Sequence, residues 1–228
     1  MKPVQIAIDG PVASGKSSVA ARLAQRLGCP FLDTGALYRA VAWLALERGV
    51  AVDDEAAVIA LVDDETPAIA TDDSTRDAVI RIGGRELRDE LFAPAIARAV
   101  SPIAAMPRVR ERLVPAQRAF ADDRQVVMAG RDIGTVILPD AAAKFFLTAS
   151  PDARVDRRLR ELLANGVRLE RDVLAAQIER RDARDSLREA SPLVKAPDAI
   201  EIDTTELTLD QVVDELERRV RAIEARRA

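Results

Sequence analysis

The chain of 228 residues contains no histidine, and this absence excludes several kinds of site at once. A Ser-His-Asp triad, a histidine general base and a metal site built from imidazole ligands are all ruled out. Cysteine is nearly absent as well, since Cys29 is the only one. An intrachain disulfide is therefore excluded, and the composition fits a reducing compartment. We expect Cys29 to be a small buried side chain.

Long apolar runs and a strong net charge are missing too. No window approaches the ~18 uninterrupted apolar residues of a membrane span, and no signal-type apolar segment is evident. The net charge of −4 gives no overall field that would hold the chain on nucleic acid or on an anionic membrane. We therefore expect a cytoplasmic protein whose partners are small molecules. Aromatic residues make up only 3% of the chain, and without an obvious apolar patch we expect a monomer.

What the sequence does contain is a regular alternation of short apolar segments and helical patterns. Five short strands are predicted, at residues 4–8, 30–33, 125–129, 144–148 and 199–202. Alternation of this kind is typical of a parallel sheet with helical crossovers, and 48% hydrophobic residues are enough to bury its core. The chain is thus predicted to belong to the α/β class.

Two stretches depart from this alternation. In residues 67–87, the β-like run 78–82 is followed by the hairpin turn Gly83-Gly84, which predicts a small β-rich insert. The second stretch is an arginine-rich helix pair. Ser150-Pro151-Asp152 supplies a capping serine, a proline and an acid for its start, and Asn165-Gly166 predicts the turn between the two helices.

The motif with the clearest chemistry is the segment Gly10-Pro11-Val12-Ala13-Ser14-Gly15-Lys16-Ser17, which fits the P-loop pattern G-x-x-x-x-G-K-[ST]. It lies between a predicted strand and a predicted helix, which is the context that the pattern requires. The glycines let consecutive N–H groups point at phosphate oxygens, and the helix adds its dipole. Lys16 can then reach the β- and γ-phosphates of ATP, and the Ser17 hydroxyl can bind Mg²⁺.

A P-loop indicates a nucleotide but not a reaction. The sequence has no N-K-x-D segment for guanine, which weighs against a GTPase, and the chain is short for a motor. Instead, Arg39 and Arg131 each follow the end of a predicted strand and lie beside a glycine turn. Because ligands of open α/β sheets bind beyond the carboxyl ends of the strands, both arginines are predicted to lie near the P-loop.

A third group of arginines lies on the helix pair. Arg154 and Arg158 share one helix face, as do Arg180 and Arg184, and Arg188 extends the second row. This pattern is typical of a mobile lid that brings guanidinium groups onto a transferring phosphoryl group and excludes water. Interleaved acidic residues also fit the alternative of a solvated, salt-bridged face. Transfer to a monophosphate would need no general base, because the acceptor oxygen is already anionic.

Taken together, these stretches resemble the bacterial cytidylate kinases, a family of P-loop nucleoside monophosphate kinases. The matching segments occur in the same order along nearly the full chain, at 8–18, 33–39, 107–110, 130–135, 181–188, 191–193 and 202–205. The resemblance implies a P-loop NTPase three-layer fold with a five-stranded parallel sheet, a small β-rich monophosphate-binding insert and a helical lid. The implied boundaries are a core of 1–62, 103–150 and 187–228, an insert of 63–102 and a lid of 151–186.

The same resemblance implies roles for individual residues. ATP would bind to the P-loop and the position after it: Gly10, Pro11, Val12, Ala13, Ser14, Gly15, Lys16, Ser17 and Ser18. CMP would be bound by residues for its base (Ser101, Arg110, Asp132), its phosphate (Thr34, Arg39, Arg131) and its ribose (Arg181, Asp185), with Arg188 at the acceptor site. Lys16, Arg131, Arg158 and Arg188 would serve catalysis, and Mg²⁺ on Ser17 would accompany ATP as co-substrate.

The implied reaction is transfer of the γ-phosphoryl group of ATP to CMP or dCMP, a step of pyrimidine nucleotide metabolism. One alternative is a kinase for another small acceptor, such as UMP, AMP, shikimate or gluconate. The insert and the pair Arg131-Asp132 favour a nucleotide, since a sugar or shikimate kinase would need no base-reading lobe. Asp132 favours cytosine, because a carboxylate can accept from its exocyclic amine, which uracil lacks. The other alternative is a P-loop binding or regulatory module that hydrolyses ATP slowly. A dependence of ATP turnover on added nucleoside monophosphate would discriminate.

Overall fold

A computed structural model of the chain describes residues 3–72, 74–75, 77–164 and 166–227. The strands are β1 (Gln5–Asp9), β2 (Phe31–Asp33), β3 (Ala68–Thr71), β4 (Ala78–Ile82), β5 (Arg85–Leu87), β6 (Val126–Gly130), β7 (Ala143–Thr148) and β8 (Ile200–Asp203). The helices are α1 (Lys16–Leu27), α2 (Gly35–Glu47), α3 (Glu55–Asp64), α4 (Pro94–Ala105), α5 (Pro107–Ala121), α6 (Pro151–Ala164), α7 (Arg171–Leu187) and α8 (Leu209–Arg227). The turn predicted at Asn165 lies outside the described residues.

Five strands form one sheet in the order β2-β6-β1-β7-β8, with parallel pairing throughout. This confirms the predicted α/β class and its five-stranded parallel sheet. Each end of each predicted strand lies within one residue of its observed position. The prediction succeeds because a parallel sheet is buried on both faces, so its strands are short, nearly continuous apolar runs.

Helices cover both faces of this sheet. Along β1, Ile6 and Ile8 pack in a cluster with α1 and α8, including Leu23 and Leu216. Ala7 belongs instead to the cluster formed with α2, α3, α4 and α5. Successive side chains of a strand point to opposite faces, so this alternation builds two cores and a three-layer fold. β1 is central, and its carboxyl end lies in the middle of the sheet edge.

A second, antiparallel sheet has the order β3-β4-β5. Its predicted hairpin is present: Gly83 and Gly84, with φ of 56° and 81°, connect β4 to β5. Glycine adopts these left-handed conformations without the steric cost that other residues incur. The boundaries proposed for the insert and the lid stay predictions.

Helices α6 and α7 share a small apolar cluster of their own, formed by Val155, Leu174 and Ile178. Val12, which lies in the loop after β1, packs against the same cluster. The helix pair is therefore attached to that loop as well as to the chain on either side. Within the described part of the chain, no helix combines the length and hydropathy needed to cross a membrane.

Candidate active site

The P-loop turns at the carboxyl end of β1, close to the neighbouring strand β7. A Cβ placed on Gly10 would lie 2.3 Å from the carbonyl oxygen of Leu147, so only glycine allows this approach. Gly15 has a φ of 87° and directly precedes α1. The loop therefore leads into a helix N-terminus, where free N–H groups and the helix dipole favour a phosphate.

Lys16 is the first residue of α1 and is only 8% exposed. Its Nζ donates to the carbonyl oxygen of Pro11 at 3.1 Å. Burial lowers the pKa of Lys16 well below its usual range, and the positive charge of Arg131 lowers it further. Asp33 opposes this effect only in part. The ammonium group thus lies in a region of excess positive charge, which an anionic ligand would neutralise.

Ser17 and Asp33 bring oxygen atoms together beside this lysine. The Ser17 hydroxyl donates to Oδ2 of Asp33 at 2.8 Å, and Oδ1 of Asp33 accepts from the backbone N–H of Gly35 at 2.9 Å. Magnesium is a hard cation that prefers oxygen ligands, so this pair of side chains fits it. Asp33 belongs to the segment 33–39, which is one of the stretches that resemble the cytidylate kinases, but no role was predicted for its side chain.

The positive charges of Arg131 and Arg181 act on Lys16, and those of Arg39 and Arg158 act in turn on Arg181. These four arginines form a cluster, and each comes from a different element of the fold. Burial lowers the pKa of Arg181 to about 10, and the charge of Arg131 contributes to the shift. Nε of Arg131 donates to Oδ2 of Asp185 at 2.8 Å. The structure therefore brings together arginines that the sequence placed on α2, after β6 and on the lid helices.

At the other end of this cluster, Arg110 and Asp132 form a buried ion pair in which each residue is 3% exposed. Arg110 also donates to the carbonyl oxygen of Ala104 at 3.0 Å, and its guanidinium carbon lies 4.9 Å from the ring centroid of Tyr38. Arg188 lies close by, since Asp132 affects its pKa, which burial lowers. The predicted base-reading residues Arg110 and Asp132 are thus in contact with each other.

Several buried N–H groups in this region have no acceptor among the described residues. They include Nη2 of Arg188 and Nε of Arg181. Nε of Arg188 does have a partner, the carbonyl oxygen of Ser191. Because a buried donor without an acceptor costs free energy, these groups indicate a place for a ligand with anionic or carbonyl oxygens.

Two predicted acceptor-site hydroxyls already have partners in the protein. Nη1 of Arg184 donates to Oγ of Ser101 at 2.8 Å, which connects α7 to α4. Oγ1 of Thr34 donates to the carbonyl oxygen of Ala129 at 3.1 Å and is buried. A Cβ on Gly130 would lie 2.6 Å from Oγ1 of Thr34, so Thr34 packs directly against the end of β6. A nucleotide at Ser101 would have to share its hydroxyl with Arg184.

A cavity of about 890 Å³ lies between the P-loop, α6 and the loop after β8. Of the predicted ATP-binding residues, Ala13, Ser14, Gly15 and Ser18 line it. Residues not predicted for this role line it too: Arg157, Arg160, Thr204, Thr205, Leu207 and Leu209. Thr204 and Thr205 lie in the matching segment 202–205, and Arg157 and Arg160 lie on the arginine-rich helix pair, but no role in ATP binding was predicted for any of these residues.

Arg157 and Thr204 connect this cavity to the P-loop. Nη1 of Arg157 donates to Oγ1 of Thr204 at 2.8 Å. The same hydroxyl lies 3.2 Å from the carbonyl oxygen of Ser14 and 2.9 Å from that of Thr148. The P-loop is thereby held on the side of β8 by contacts between residues that are distant in sequence.

The backbone of Val12 is hydrogen-bonded to both helices of the pair α6 and α7. Its backbone N–H donates to Oδ1 of Asp182 at 3.3 Å, and its carbonyl oxygen accepts from Arg154 at 3.3 Å. Arg154 and Asp182 also form an ion pair with each other. Together with the packing of the Val12 side chain, these contacts seat α6 and α7 directly on the P-loop.

Comparison with known proteins identifies the family of this chain. Residues 6–222 match the sequence family described as cytidylate kinase. A cytidylate kinase of Nocardia farcinica is 47% identical over 217 residues, which cover 95% of this chain and 93% of the relative. One from Geobacillus kaustophilus is 46% identical over 213 residues, covering 93% and 94%. The solved structure of an uncharacterized protein from Eubacterium ventriosum has 18% identity and a TM-score of 0.51 over 97% of this chain and 99% of that chain, which shows a shared fold alone.

Proposed function

Because this chain belongs to the cytidylate kinase family, we propose that it transfers the γ-phosphoryl group of ATP to CMP or dCMP, giving ADP and CDP or dCDP. The convergence of five cationic side chains supports this proposal best: Lys16, Arg39, Arg131, Arg158 and Arg181. Donor and acceptor are both anions, so their reaction requires a site that offsets their repulsion and holds them in line.

The donor would occupy the P-loop and the cavity beside it. Backbone N–H groups at the start of α1 and the Lys16 ammonium would bind its phosphates, and the cavity beyond Gly15 has room for the nucleoside. Mg²⁺ bound with ATP would be held by Ser17 with Asp33 beside it, and it would supply charge neutralisation between the phosphates. Because the N–H groups and Lys16 would already be in position before the reaction, little free energy would be needed to reorganise them in the transition state.

The acceptor would lie with its phosphate against Arg39 and Arg131 and with its base at Arg110 and Asp132. Asp132 can accept from the exocyclic amine of cytosine, whereas uracil presents a carbonyl oxygen that the carboxylate repels. The free N–H of Arg188 would donate to the acceptor nucleotide. The acceptor phosphate oxygen would attack without losing a proton, so the absence of histidine is no obstacle.

An assay of ADP release tests the proposed reaction. With ATP and Mg²⁺ present, we expect fast ADP release with CMP and dCMP and slow release with UMP, AMP and GMP. Release with UMP or AMP instead would keep the kinase but contradict the base-reading role of Asp132. Release that is independent of every monophosphate would contradict the kinase and favour the ATP-hydrolysing module.

Replacing Arg188 by alanine is expected to raise the KM for CMP by about tenfold, the value of one charge-assisted hydrogen bond. The reason is that Nη2 of Arg188 is buried and lacks an acceptor in the protein. The KM for ATP should stay within about twofold, because Arg188 lies away from the donor cavity. Arg112→Ala, which removes an exposed arginine paired with Asp63, is the matched control. Equal KM values for CMP in both variants would show that Arg188 does not contact the acceptor.

A further inference from the structure

Asp9 is the last residue of β1 and directly precedes Gly10, but its side chain binds elsewhere. Its Oδ1 accepts from the backbone N–H of Ile133 at 2.8 Å, and its Oδ2 accepts from the backbone N–H of Gly134 at 2.8 Å. The residue is only 5% exposed. One buried carboxylate thus joins the strand that leads into the P-loop to the segment that follows β6.

That segment begins a short helical turn, Ile133–Ile137. The first N–H groups of a helical turn have no acceptor inside it, so they need a partner from elsewhere. Asp9 supplies one for two of them. The two residues before the turn are Arg131 and Asp132, and the carbonyl oxygen of Asp132 accepts from the N–H of Val136 at 2.9 Å. Arg131 and Asp132 therefore lead into a turn whose start is fixed by Asp9.

The carboxylate fits its position closely. A Cβ on Gly134 would lie 3.2 Å from Cδ of Lys144 and 3.4 Å from Oδ2 of Asp9, so the turn packs closely against both side chains. Burial raises the pKa of Asp9 to about 6, although the two N–H groups act in the opposite direction. At pH 8 the group is ionised, and both of its oxygens accept hydrogen bonds.

The P-loop has supports of its own besides these two bonds. It is held by the hydrogen bond from Lys16 to Pro11, by the contact of Thr204 with Ser14 and by the lid contacts of Val12. The turn at Ile133 has a different set of supports. A change in the carboxylate of Asp9 should consequently affect the acceptor side of the site more than the donor side.

We propose that Asp9 is a positioning residue for the acceptor: its carboxylate fixes the turn that sets Arg131 and Asp132 for the base and phosphate of the monophosphate. The proposal rests on the proposed function, because it concerns the same acceptor. Asp9 touches neither substrate; it acts through the backbone of Ile133 and Gly134.

The variant Asp9→Asn tests this directly. An amide offers one accepting oxygen, and its NH2 group would face an N–H donor, so one of the two bonds is lost and replaced by repulsion. We expect the ratio of kcat/KM for CMP to that for UMP to fall by about fivefold, in the range of a single hydrogen bond. The KM for CMP should rise, and the KM for ATP should stay within about twofold of the wild-type value.

The ratio is chosen because it does not depend on how much of the preparation is folded, so even a less stable variant reports it. Asp9→Ser places its hydroxyl oxygen one bond short of the carboxylate oxygens, so it weakens both bonds without adding an amide donor, and it gives a second measurement with a fall of similar size. Asp54→Asn is the matched control, since Asp54 also accepts from a backbone N–H at a helix start but lies at α3. Its ratio should equal that of the wild type.

The possible outcomes separate the two proposals. Wild-type protein without CMP-dependent ADP release would overturn the proposed function. If the wild-type protein is active and the ratio of kcat/KM for CMP to that for UMP is unchanged in Asp9→Asn and Asp9→Ser, the positioning role is overturned. Asp9 would then contribute only to the stability of the fold. A rise in the KM for ATP at an unchanged ratio would overturn the positioning role as well, since Asp9 would then act on the donor loop.

Discussion

Replacing Lys16 by alanine is expected to reduce kcat by about 10²–10³-fold, as for the loss of one preorganised group that stabilises transition-state charge. Lys16 is the buried cation at the start of α1, where its ammonium group lies close to both Asp33 and the arginine cluster. Negative charge moves between phosphates during transfer, and no other lysine lies in the P-loop to replace it.

The same substitution should leave the free energy of unfolding of the ATP-free protein about unchanged. The lowered pKa of Lys16 means that its surroundings disfavour the charged form, so removing the charge also removes repulsion from Arg131 and Arg181. Urea unfolding of both proteins checks this, and ADP release with CMP checks the rate. Lys195→Ala, at an exposed lysine paired with Glu201, is the control. Turnover by Lys16→Ala near that of the control would contradict the role given to the P-loop.

Replacing Asp132 by asparagine is expected to reduce the preference for CMP over UMP by about 100-fold, since a charge-assisted hydrogen bond is lost for cytosine and a repulsion is removed for uracil. Asparagine is the better variant because Asp132 is the buried partner of Arg110. Asparagine keeps an oxygen that can accept from Arg110, whereas alanine would leave that buried donor without an acceptor, at a cost of about 1–3 kcal/mol to stability. The activity with either acceptor would then be lower and harder to measure.

The measurement is kcat/KM for CMP and for UMP, with Asp63→Asn as a control at an exposed carboxylate that also pairs with an arginine. The control should keep the wild-type preference. An Asp132→Asn protein that keeps it too would show that the base is recognised by other groups, with Ser101 and Arg110 as the nearest candidates. If activity fell to the same degree with both acceptors, Asp132 would help to position Arg131 and would not recognise the base.

Much of this fold could be predicted because its signals are local. The strand ends, the P-loop and the hairpin at Gly83-Gly84 each follow from a few adjacent residues. The convergence of Arg39 and Arg131 followed from one rule about parallel sheets, namely that strand ends on one edge surround the ligand.

The remaining features depend on contacts between residues far apart in sequence, which no local pattern encodes. Asp9 meets Ile133 across 124 positions, and Arg157 meets Thr204 across 47. The sequence could mark Asp9 only as the residue before a glycine. It likewise gave no indication that the hydroxyl of Ser101 is bound by Arg184, because that contact depends on how α7 lies over α4.

The contacts of Val12 with α6 and α7 have a consequence for exchanging this helix pair with that of a relative. Its side chain completes the apolar cluster of Val155, Leu174 and Ile178, and its backbone is bound by Arg154 and Asp182. A chimera that receives only a foreign helix pair would place unmatched side chains against Val12. An exchange of α6 and α7 should therefore include Val12, a residue of the P-loop that lies more than 130 positions before the start of α6.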